Sequence, residues 1–364
     1  MSKPFTLSPL PPKSEVETPR VLRQLALSHR YLAELKGTAK TIPNETILIN
    51  TLTLQEAKDS SEIENIITTQ DELYKENILI NTHNPASKEV YNYAQGLRMG
   101  FGIVRKEKLL LNKQILAIQE VLLQNNAGFR RQMGTKLVNN AGETVYTPPQ
   151  TQDEILALMT NLEKFINDAH FSDLDPLVKM AIIHYQFESI HPFYDGNGRT
   201  GRIINILYLV LQGLLDIPIL YLSRYITQHK AEYYQVLQGV RDNNDWEALI
   251  LYFLKGVEET AAETIGLITE IKNLMQDYKD RIKVDLPKIY SLELLNNLFR
   301  NPYTKIEFLQ TDLGISRQTA ANYLDSLAAL KYTEKVKLGK QNYYFNIQLV
   351  AVLTNAQVKK IAKP

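Results

Sequence analysis

Twelve consecutive residues, HPFYDGNGRTGR (191–202), carry the side chains of this chain that are best suited to chemistry. They separate two apolar segments, MAIIHYQFESI and IINILYLVLQGLL, that have the character of buried helices. Gly196, Asn197 and Gly198 stand where the second helix should begin, and the first turn of a helix leaves backbone N–H groups unpaired at its positive end. Because glycines let a ligand approach the backbone closely, the segment predicts a cradle for an anion.

Two arginines of the same loop indicate the size of that anion. Arg199 and Arg202 are three residues apart, so both project from one face of the first helical turn. Positive side chains at a helix N-terminus work against the helix dipole unless an anion lies there. Two arginines and a backbone nest suit two or three linked phosphates better than a single carboxylate.

The remaining polar residues of the loop predict a metal ligand and a base. Asp195 would repel phosphates unless a Mg²⁺ ion lay between them, and one carboxylate with phosphate oxygens is a usual Mg²⁺ shell. His191 is expected to titrate near neutrality, as histidines ordinarily do, and so to take a proton from an incoming hydroxyl. Pro192 and Phe193 are expected to stiffen the loop and fill the core.

Two other interpretations of the loop stay open at this point. The loop can be a polar connector between buried helices, with His191 a hydrogen-bonded core histidine. A metal site built from His184 and His191 is weaker, because no third ligand lies nearby in the sequence. The sequence contains no GxxxxGK(S/T) motif, which excludes a P-loop enzyme.

The loop resembles the Fic signature HPFx(D/E)GNGRxxR at every fixed position, and the resemblance extends over about 60–250. It implies a mostly α Fic fold, a helical bundle with a β-hairpin flap. It also implies a protein adenylyltransferase (AMPylator) that uses ATP and Mg²⁺. Such an enzyme moves AMP onto a Tyr, Thr or Ser hydroxyl of a target protein and releases pyrophosphate.

The resemblance also implies roles for individual residues. His191 would be the general base, and Asp195 would hold the Mg²⁺ that bridges the α- and β-phosphates. Asn197 would place the α-phosphate, and Arg199 and Arg202 would bind the β- and γ-phosphates. The full nucleotide-binding set is Asp195, Gly196, Asn197, Gly198, Arg199, Thr200, Gly201, Arg202, Tyr233 and Tyr234.

The adenine side of the site matches the family more loosely. Tyr233 and Tyr234 resemble a tyrosine pair that lines this side. An asparagine often follows a turn or two later in the family, where this chain has Arg241, with Asn243 and Asn244 beyond. The contacts of the nucleotide base therefore stay open.

A second motif, SSEIEN (60–65), resembles the (S/T)xxxE(G/N) motif of Fic proteins with an N-terminal inhibitory helix. Its residues here are Ser60, Glu64 and Asn65. A Glu64 carboxylate paired with Arg202 would take the arginine meant for the γ-phosphate, so ATP would bind with its phosphates misplaced. The alternative is a serine-capped helix with an ordinary surface glutamate. In parts of the family this glutamate also positions a water for removal of AMP.

Helical periodicity dominates the elements that must position these residues. Thr18 is predicted to cap the first helix, with Pro19 at its first position and Gly37 at its end. Its apolar stripe is Leu22, Leu25, Leu32 and Leu35. Further helices are expected at about 44–59, from a serine-capped start at 60, at 87–105, 112–125, 152–168 and 175–189, after Gly198, and at 227–242 and 244–280.

One segment within the central region has strand character instead. Residues 135–146 alternate on both sides of a turn at 139–142, which predicts a β-hairpin. The resemblance identifies this hairpin as the flap, which holds a target segment by strand addition. Self-modification is an alternative, because the chain has 20 tyrosines of its own.

The C-terminal part has the element order of a winged helix, with two helices joined at 313–315 and a hairpin turning at 339–340. Residues 286–364 hold 11 Lys+Arg against 5 Asp+Glu, a net charge of +6. Base-reading or phosphate-binding chemistry is carried by Ser316, Arg317, Gln318, Asn322, Lys335, Lys337 and Lys340. DNA binding is not favoured, because many winged helices pack on a neighbouring domain or bind protein. Three residues of the second helix are assigned to the core: Tyr323, Leu324 and Leu327.

Bulk composition sets further limits. A chain of 364 residues predicts two or more domains, and a net charge of +1 gives no global attraction to nucleic acid or membrane. The absence of cysteine excludes disulfides and cysteine nucleophiles and fits a cytoplasmic location. No signal peptide or membrane span is expected, because polar residues interrupt the longest apolar stretch.

The sequence therefore predicts three parts in the chain. Residues 1–105 form an N-terminal arm and helices with an inhibitory helix around 60–75, residues 106–280 form the Fic core, and residues 286–364 form the winged helix. The predicted function is an auto-inhibited protein adenylyltransferase, and a homodimer is the symmetric default. The alternatives are removal of AMP, another Fic nucleotidyl or phosphoryl transfer, and a DNA-binding regulator whose Fic loop only senses nucleotide.

Overall fold

The computed structural model describes residues 6–68, 84–139, 141–338 and 341–358, with side chains up to residue 354. These residues form the predicted mostly helical protein with two small antiparallel sheets. Within them, no helix is both long and apolar enough to cross a membrane.

Ten helices lie before residue 286 in the described part of the chain. They are α1 (Pro19–Ala39), α2 (Glu45–Ile63), α3 (Pro85–Glu107), α4 (Asn112–Leu123), α5 (Gln152–Asn167), α6 (Pro176–Ile190), α7 (Asn197–Leu211), α8 (Leu222–Gln228), α9 (Lys230–Asn243) and α10 (Trp246–Asp285).

Helix α1 begins where the sequence predicts but ends later. The Thr18 hydroxyl accepts a hydrogen bond from the Val21 N–H at 3.3 Å, and Pro19 occupies the first helical position. The predicted end at Gly37 is wrong, because the backbone stays helical to Ala39. The predicted apolar stripe is buried except for Leu22, which is 51% exposed. Helix α1 packs along α10.

Helix α2 is one continuous helix across the predicted break at residue 60. Ser60 and Ser61 lie in its last turn and are completely buried, so the prediction that they cap the start of a new helix is wrong. Local propensity favoured a cap, but burial of both serines against the protein interior outweighs it. Residues 69–75 of the predicted inhibitory helix lie outside the described residues.

Helices α6 and α7 form the centre of the core. Their side chains are buried around almost the whole circumference, as expected for helices that are apolar on all faces. Helices α3, α4 and α10 pack around this pair, and α2 contacts α7 from another side. The loop between α6 and α7 is therefore held at both ends by a rigid, buried scaffold.

The predicted β-hairpin is present. Strands β1 (Leu137–Val138) and β2 (Thr144–Tyr146) pair antiparallel, with Leu137 opposite Tyr146. The Tyr146 hydroxyl donates to the Ser189 carbonyl oxygen at 2.9 Å, near the end of α6. This buried anchor places the hairpin beside the loop that follows α6.

The C-terminal elements occur in the predicted order. They are α11 (Leu292–Arg300), β3 (Tyr303–Lys305), α12 (Ile306–Leu313), α13 (Arg317–Ala329), β4 (Glu334–Leu338), β5 (Gln341–Phe345) and α14 (Ile347–Val358). The strands form a sheet in the order β3-β5-β4. Gly314 takes a left-handed conformation between α12 and α13, with φ of +65°. Leu324 and Leu327 are fully buried and Tyr323 is partly buried, while the hairpin turn with Lys340 lies outside the described residues.

Helix α10 joins the central and C-terminal parts. It runs to Asp285 and so continues through the predicted boundary between residues 280 and 286. The Tyr278 hydroxyl lies 2.8 Å from the Tyr332 carbonyl oxygen and 2.9 Å from Asn346 Oδ1. The last turns of α10 therefore pack with the C-terminal elements.

Candidate active site

The candidate active site lies where the chain passes from α6 into α7. Helix α6 ends at Ile190, and His191 adopts the left-handed conformation with φ of +49°. Gly196 is the N-cap of α7 with φ of +74°, a conformation that glycine adopts without strain. These two residues bring the chain from the end of one buried helix to the start of the next within a short loop.

Two buried side chains hold the loop in shape. Asn197 Oδ1 accepts from the Phe193 N–H and its Nδ2 donates to the Phe193 carbonyl oxygen, both at 2.8 Å. The Asn197 side chain thus closes the loop through the Phe193 backbone. Arg130 donates from Nε to the His191 carbonyl oxygen at 2.8 Å and from Nη2 to the Pro149 carbonyl oxygen. Arg130 was not identified from the sequence, because nothing near it in the chain indicates this contact.

The guanidinium of Arg202 is held by α2. Its Nε donates to Ser60 Oγ at 2.7 Å, and its Nη2 donates to the Ser60 carbonyl oxygen at 2.9 Å and to Glu64 Oε1 at 2.8 Å. The Arg202 side chain is only 2% exposed. The structure therefore brings together the two motifs that the sequence separates by more than a hundred residues.

The Glu64 carboxylate lies over the N-terminus of α7. A β-carbon on Gly198 would overlap Glu64 Oε1 and would be 3.0 Å from Arg202 Nη1. Burial alone would raise the pKa of Glu64, but the charges of Arg202, Arg199 and Lys230 outweigh burial and lower it. An ionised carboxylate thus occupies the cradle that the sequence predicts for an anion.

The end of α2 explains why an asparagine follows the glutamate. Asn65 is left-handed with φ of +62°, and the Ile66 N–H donates to the Ser61 carbonyl oxygen at 3.0 Å, as in a Schellman motif. Glycine and asparagine are the residues that adopt this conformation most readily. This turn fixes the direction in which Glu64 leaves the helix.

Arg199 has different partners from Arg202. Its Nη1 is 2.5 Å from Glu89 Oε2 on α3, and its Nη2 is 3.5 Å from Asp195 Oδ1. Asp195 is 73% exposed, and its Oδ1 also accepts from the Gly196 N–H at 2.6 Å. Glu89 was not identified from the sequence, because 110 residues separate it from Arg199.

The environment of His191 keeps its imidazole neutral. Burial lowers the pKa of His191 to about 4. The positive charge of Arg130 lowers this pKa further, whereas a hydrogen bond to the Glu188 backbone raises it. A neutral ring at pH 7 can accept a proton.

A second buried titratable group lies in the last turn of α6. Burial raises the pKa of the Glu188 carboxyl to about 7. This carboxyl lies against Gly201 and was also not identified from the sequence.

The two tyrosines predicted on the adenine side differ in burial. Tyr233 is 3% exposed and Tyr234 is 51% exposed. The Tyr233 hydroxyl lies 2.8 Å from His184 Nε2, and Asn205 Nδ2 lies 2.9 Å from His184 Nδ1. Burial lowers the pKa of His184 to about 3. Because protein groups engage both of its ring nitrogens, His184 is a core histidine, and the alternative metal site with His191 is wrong.

The other predicted residues lie at the margin of the site. Thr200 is completely buried, and Gly201 packs against Phe187, so neither presents a side chain to the cradle.

The Arg241 guanidinium lies 4.0 Å from the centroid of the Tyr146 ring. Arg241 thus connects α9 to the hairpin.

Three family profiles match successive parts of the chain. The family profile described as Fic/DOC family N-terminal matches residues 22–102, and the profile described as Fic/DOC family matches residues 110–209. A third profile, Protein adenylyltransferase SoFic-like, C-terminal domain, matches residues 274–349. The Protein adenylyltransferase fic-1 of Caenorhabditis briggsae is 28% identical over 144 residues. That match covers 39% of this chain and only 27% of the relative's length.

Two further similarities extend over most of the chain. The Probable protein adenylyltransferase aq_aa38 of Aquifex aeolicus is 24% identical over 316 residues, which cover 85% of this chain and 88% of that protein. The crystal structure of a Fic family protein from Desulfovibrio desulfuricans has a TM-score of 0.58 at 21% identity, covering 92% of this chain and 98% of that one. This likeness confirms the predicted Fic fold. With three profiles in order along the sequence and a complete signature loop, the chain belongs to the Fic/DOC family.

Proposed function

We propose that this protein is a protein adenylyltransferase, which transfers AMP from ATP to a hydroxyl of a target protein and releases pyrophosphate. The observation that carries the proposal is the ionised Glu64 carboxylate held by Arg202 at the N-terminus of α7. A site that holds one anion with a buried guanidinium and a helix N-terminus suits the phosphates of a nucleotide. The names of the relatives support the same activity.

His191 is the general base of the proposed reaction. Its neutral imidazole takes the proton of the attacking hydroxyl as the oxygen bonds to the α-phosphorus, and the bond to the pyrophosphate oxygen breaks. Negative charge grows on the leaving pyrophosphate, where Arg199 and Arg202 stabilise it. A positioned base contributes about 10²–10⁴-fold in rate.

The Asp195 carboxylate suits a magnesium ion that binds together with the nucleotide. Asp195 has an exposed carboxylate beside the cradle. In the part of the chain that the structure describes, no group of three or more His, Cys, Asp or Glu could hold a metal by itself. Asp195 would therefore hold the ion with phosphate oxygens as the other ligands. The ion would supply neutralisation of phosphate charge.

Glu64 acts as a brake on this reaction. While Arg202 is hydrogen-bonded to Ser60 and Glu64, its guanidinium is not available to a γ-phosphate. ATP that binds in this state has its phosphates displaced relative to His191. Replacement of Glu64, or a movement of α2, would release the guanidinium.

The hairpin β1–β2 is the proposed binding site of the target. Val138 and Val145 on its strands are 57% and 45% exposed, whereas Tyr146 anchors it to α6. An extended target segment would add to the hairpin edge through backbone hydrogen bonds and present its hydroxyl to His191. A tyrosine of this chain is the alternative acceptor.

Two labels in one variant test the type of reaction. Purified Glu64→Gly protein with Mg²⁺ should acquire label from ATP that carries it on the α-phosphate, and none from ATP that carries it on the γ-phosphate. Adding His191→Ala should remove the label, whereas adding His170→Ala, at an exposed histidine, should not. Label from the γ-phosphate would show phosphoryl transfer instead. Loss of AMP from a modified target, without transfer from ATP, would show the reverse reaction.

A further inference from the structure

We propose that Ser223, Thr227 and Lys230 form a polar zipper that positions the C-terminal half of α2 and so sets the strength of the Glu64 brake. This inference rests on the function proposed above. The zipper residues lie on α8 and at the start of α9. They contact α2 at positions 56, 59 and 63 through two hydroxyl groups, a backbone N–H and an ammonium group.

The first contact joins Ser223 to the carboxyl of Glu56. The Ser223 N–H donates to Glu56 Oε2 at 3.1 Å, and the Ser223 hydroxyl donates to Glu56 Oε1. Tyr93 on α3 adds a third hydrogen bond, from its hydroxyl to Glu56 Oε1 at 3.0 Å. Glu56 is 2% exposed, and burial raises its pKa to about 8.

The next two contacts follow toward the end of α2. Thr227 Oγ1 lies 3.2 Å from the Asp59 carbonyl oxygen and 2.9 Å from the Ser223 carbonyl oxygen of its own helix, so its one proton is shared between the two. Lys230 Nζ donates to the Ile63 carbonyl oxygen at 2.6 Å and lies 3.4 Å from Asn65 Oδ1. Lys230 therefore contacts both the carbonyl group of the last residue of α2, Ile63, and the left-handed residue Asn65 that follows Glu64.

The spacing of these residues makes the contacts a continuous interface. Positions 223, 227 and 230 fall four and three apart, and positions 56, 59 and 63 fall three and four apart. Positions 56, 59 and 63 therefore lie on one face of α2, while Ser223 and Thr227 share a face of α8 and Lys230 begins α9. Buried polar groups are costly without their partners, so a zipper of this kind specifies one register, whereas an apolar face tolerates sliding.

Lys230 is the member of the zipper closest to the brake. A cation at a helix C-terminus interacts favourably with the unpaired carbonyls and with the helix dipole. Its charge also contributes to lowering the pKa of Glu64. Lys230 is thus a positioning residue that acts on Arg202 through Glu64. Tyr233 and Tyr234 lie on the same helix, so the adenine side and the brake share one element.

A double-variant comparison tests the zipper. Transfer of α-labelled AMP is measured for wild type, Lys230→Met, Glu64→Gly and the double variant. We expect Lys230→Met to raise transfer about five- to tenfold, because one charge-assisted hydrogen bond is lost from the inhibited state. In the Glu64→Gly background the same substitution should change nothing. Lys230→Arg should keep the brake, and Lys272→Met, at an exposed position of α10, is the matched control.

Thr227→Val is a second, milder variant that should raise transfer about two- to threefold, again only while Glu64 is present. The inference is overturned if Glu64→Gly activates transfer and Lys230→Met does not. It is also overturned if Lys230→Met lowers transfer in the Glu64→Gly background, since the lysine would then serve the nucleotide. Failure of Glu64→Gly itself to transfer AMP would instead remove the proposed function, and the inference with it.

Discussion

Glu64 and Gly198 are in direct contact across helices α2 and α7, with Glu64 Oε1 in the space that a β-carbon of Gly198 would need. The same oxygen accepts a hydrogen bond from Arg202 at 2.8 Å. One carboxylate therefore lies beside the helix N-terminus and pairs with the guanidinium, and both groups are suited to phosphate. In the account proposed above, the brake and the nucleotide compete for the same groups.

The contact at Gly198 leads to a prediction about the cradle itself. Gly198→Ala should abolish AMP transfer even in the Glu64→Gly background, because the added methyl group fills the position expected for a phosphate oxygen. Gly37→Ala is the matched control, since a β-carbon there meets no other atom within 4 Å and should leave transfer unchanged. Transfer by the Gly198→Ala, Glu64→Gly protein at the rate of Glu64→Gly alone would show that phosphate binds elsewhere.

The left-handed turn at Asn65 should set how firmly Glu64 is held. Asn65→Gly should leave transfer at the inhibited level, because glycine adopts φ of +62° without strain. Asn65→Val should strain this turn by about 1–2 kcal/mol and raise transfer severalfold. Rates for both variants, with thermal melts to show that each is folded, check the prediction. Equal rates in the two variants would mean that the turn does not direct the carboxylate.

The low pKa of His191 predicts an unusual pH profile. A base works in its neutral form, so activity is present above the pKa and is lost as pH falls through it. Because burial lowers the pKa of His191 to about 4, kcat/KM of Glu64→Gly should not fall near pH 6.5, where an ordinary histidine becomes protonated. Any inflection that comes from Glu188, whose pKa burial raises, should disappear when Glu188→Gln is added to Glu64→Gly. An inflection near 6.5 that Glu188→Gln leaves in place would contradict this prediction.

Arg130 should matter for both stability and transfer. Arg130→Met removes the donor that holds the carbonyl oxygens of His191 and Pro149 within the core. We expect a loss of about 2–4 kcal/mol in the free energy of unfolding and a loss of most transfer in the Glu64→Gly background. Arg131→Met, at an exposed neighbour, is the control for urea unfolding and for transfer. A change below about 0.5 kcal/mol would show that the buried contacts are not important.

The sequence predicts the site best where its residues are contiguous. The conformation of the loop 191–202 is determined by its own residues, because a glycine-rich turn and a helix N-terminus are local features. The helical Fic fold and the flap hairpin follow from local periodicity and from the resemblance of the loop and its surroundings. These predictions did not depend on knowing which distant residues meet.

The parts that were missed are those set by tertiary contact. Glu89 and Arg130 reach the loop from other elements, and nothing in their own neighbourhoods indicates it. Ser60 and Ser61 favour a helix start locally, but pairing with Arg202 and burial keep them in the last turn of α2. The two bonds from the Asn197 side chain to the Phe193 backbone were also not predicted.

In the proposed mechanism, Glu64 restrains a competent AMP-transfer site. The most direct measurement is the initial rate of protein labelling from α-labelled ATP and Mg²⁺ in wild type, Glu64→Gly and Glu15→Gly, the last at an exposed glutamate outside any helix. We expect Glu64→Gly to exceed wild type at least tenfold, with Glu15→Gly unchanged. A Glu64→Gly rate equal to or below that of wild type would contradict the account.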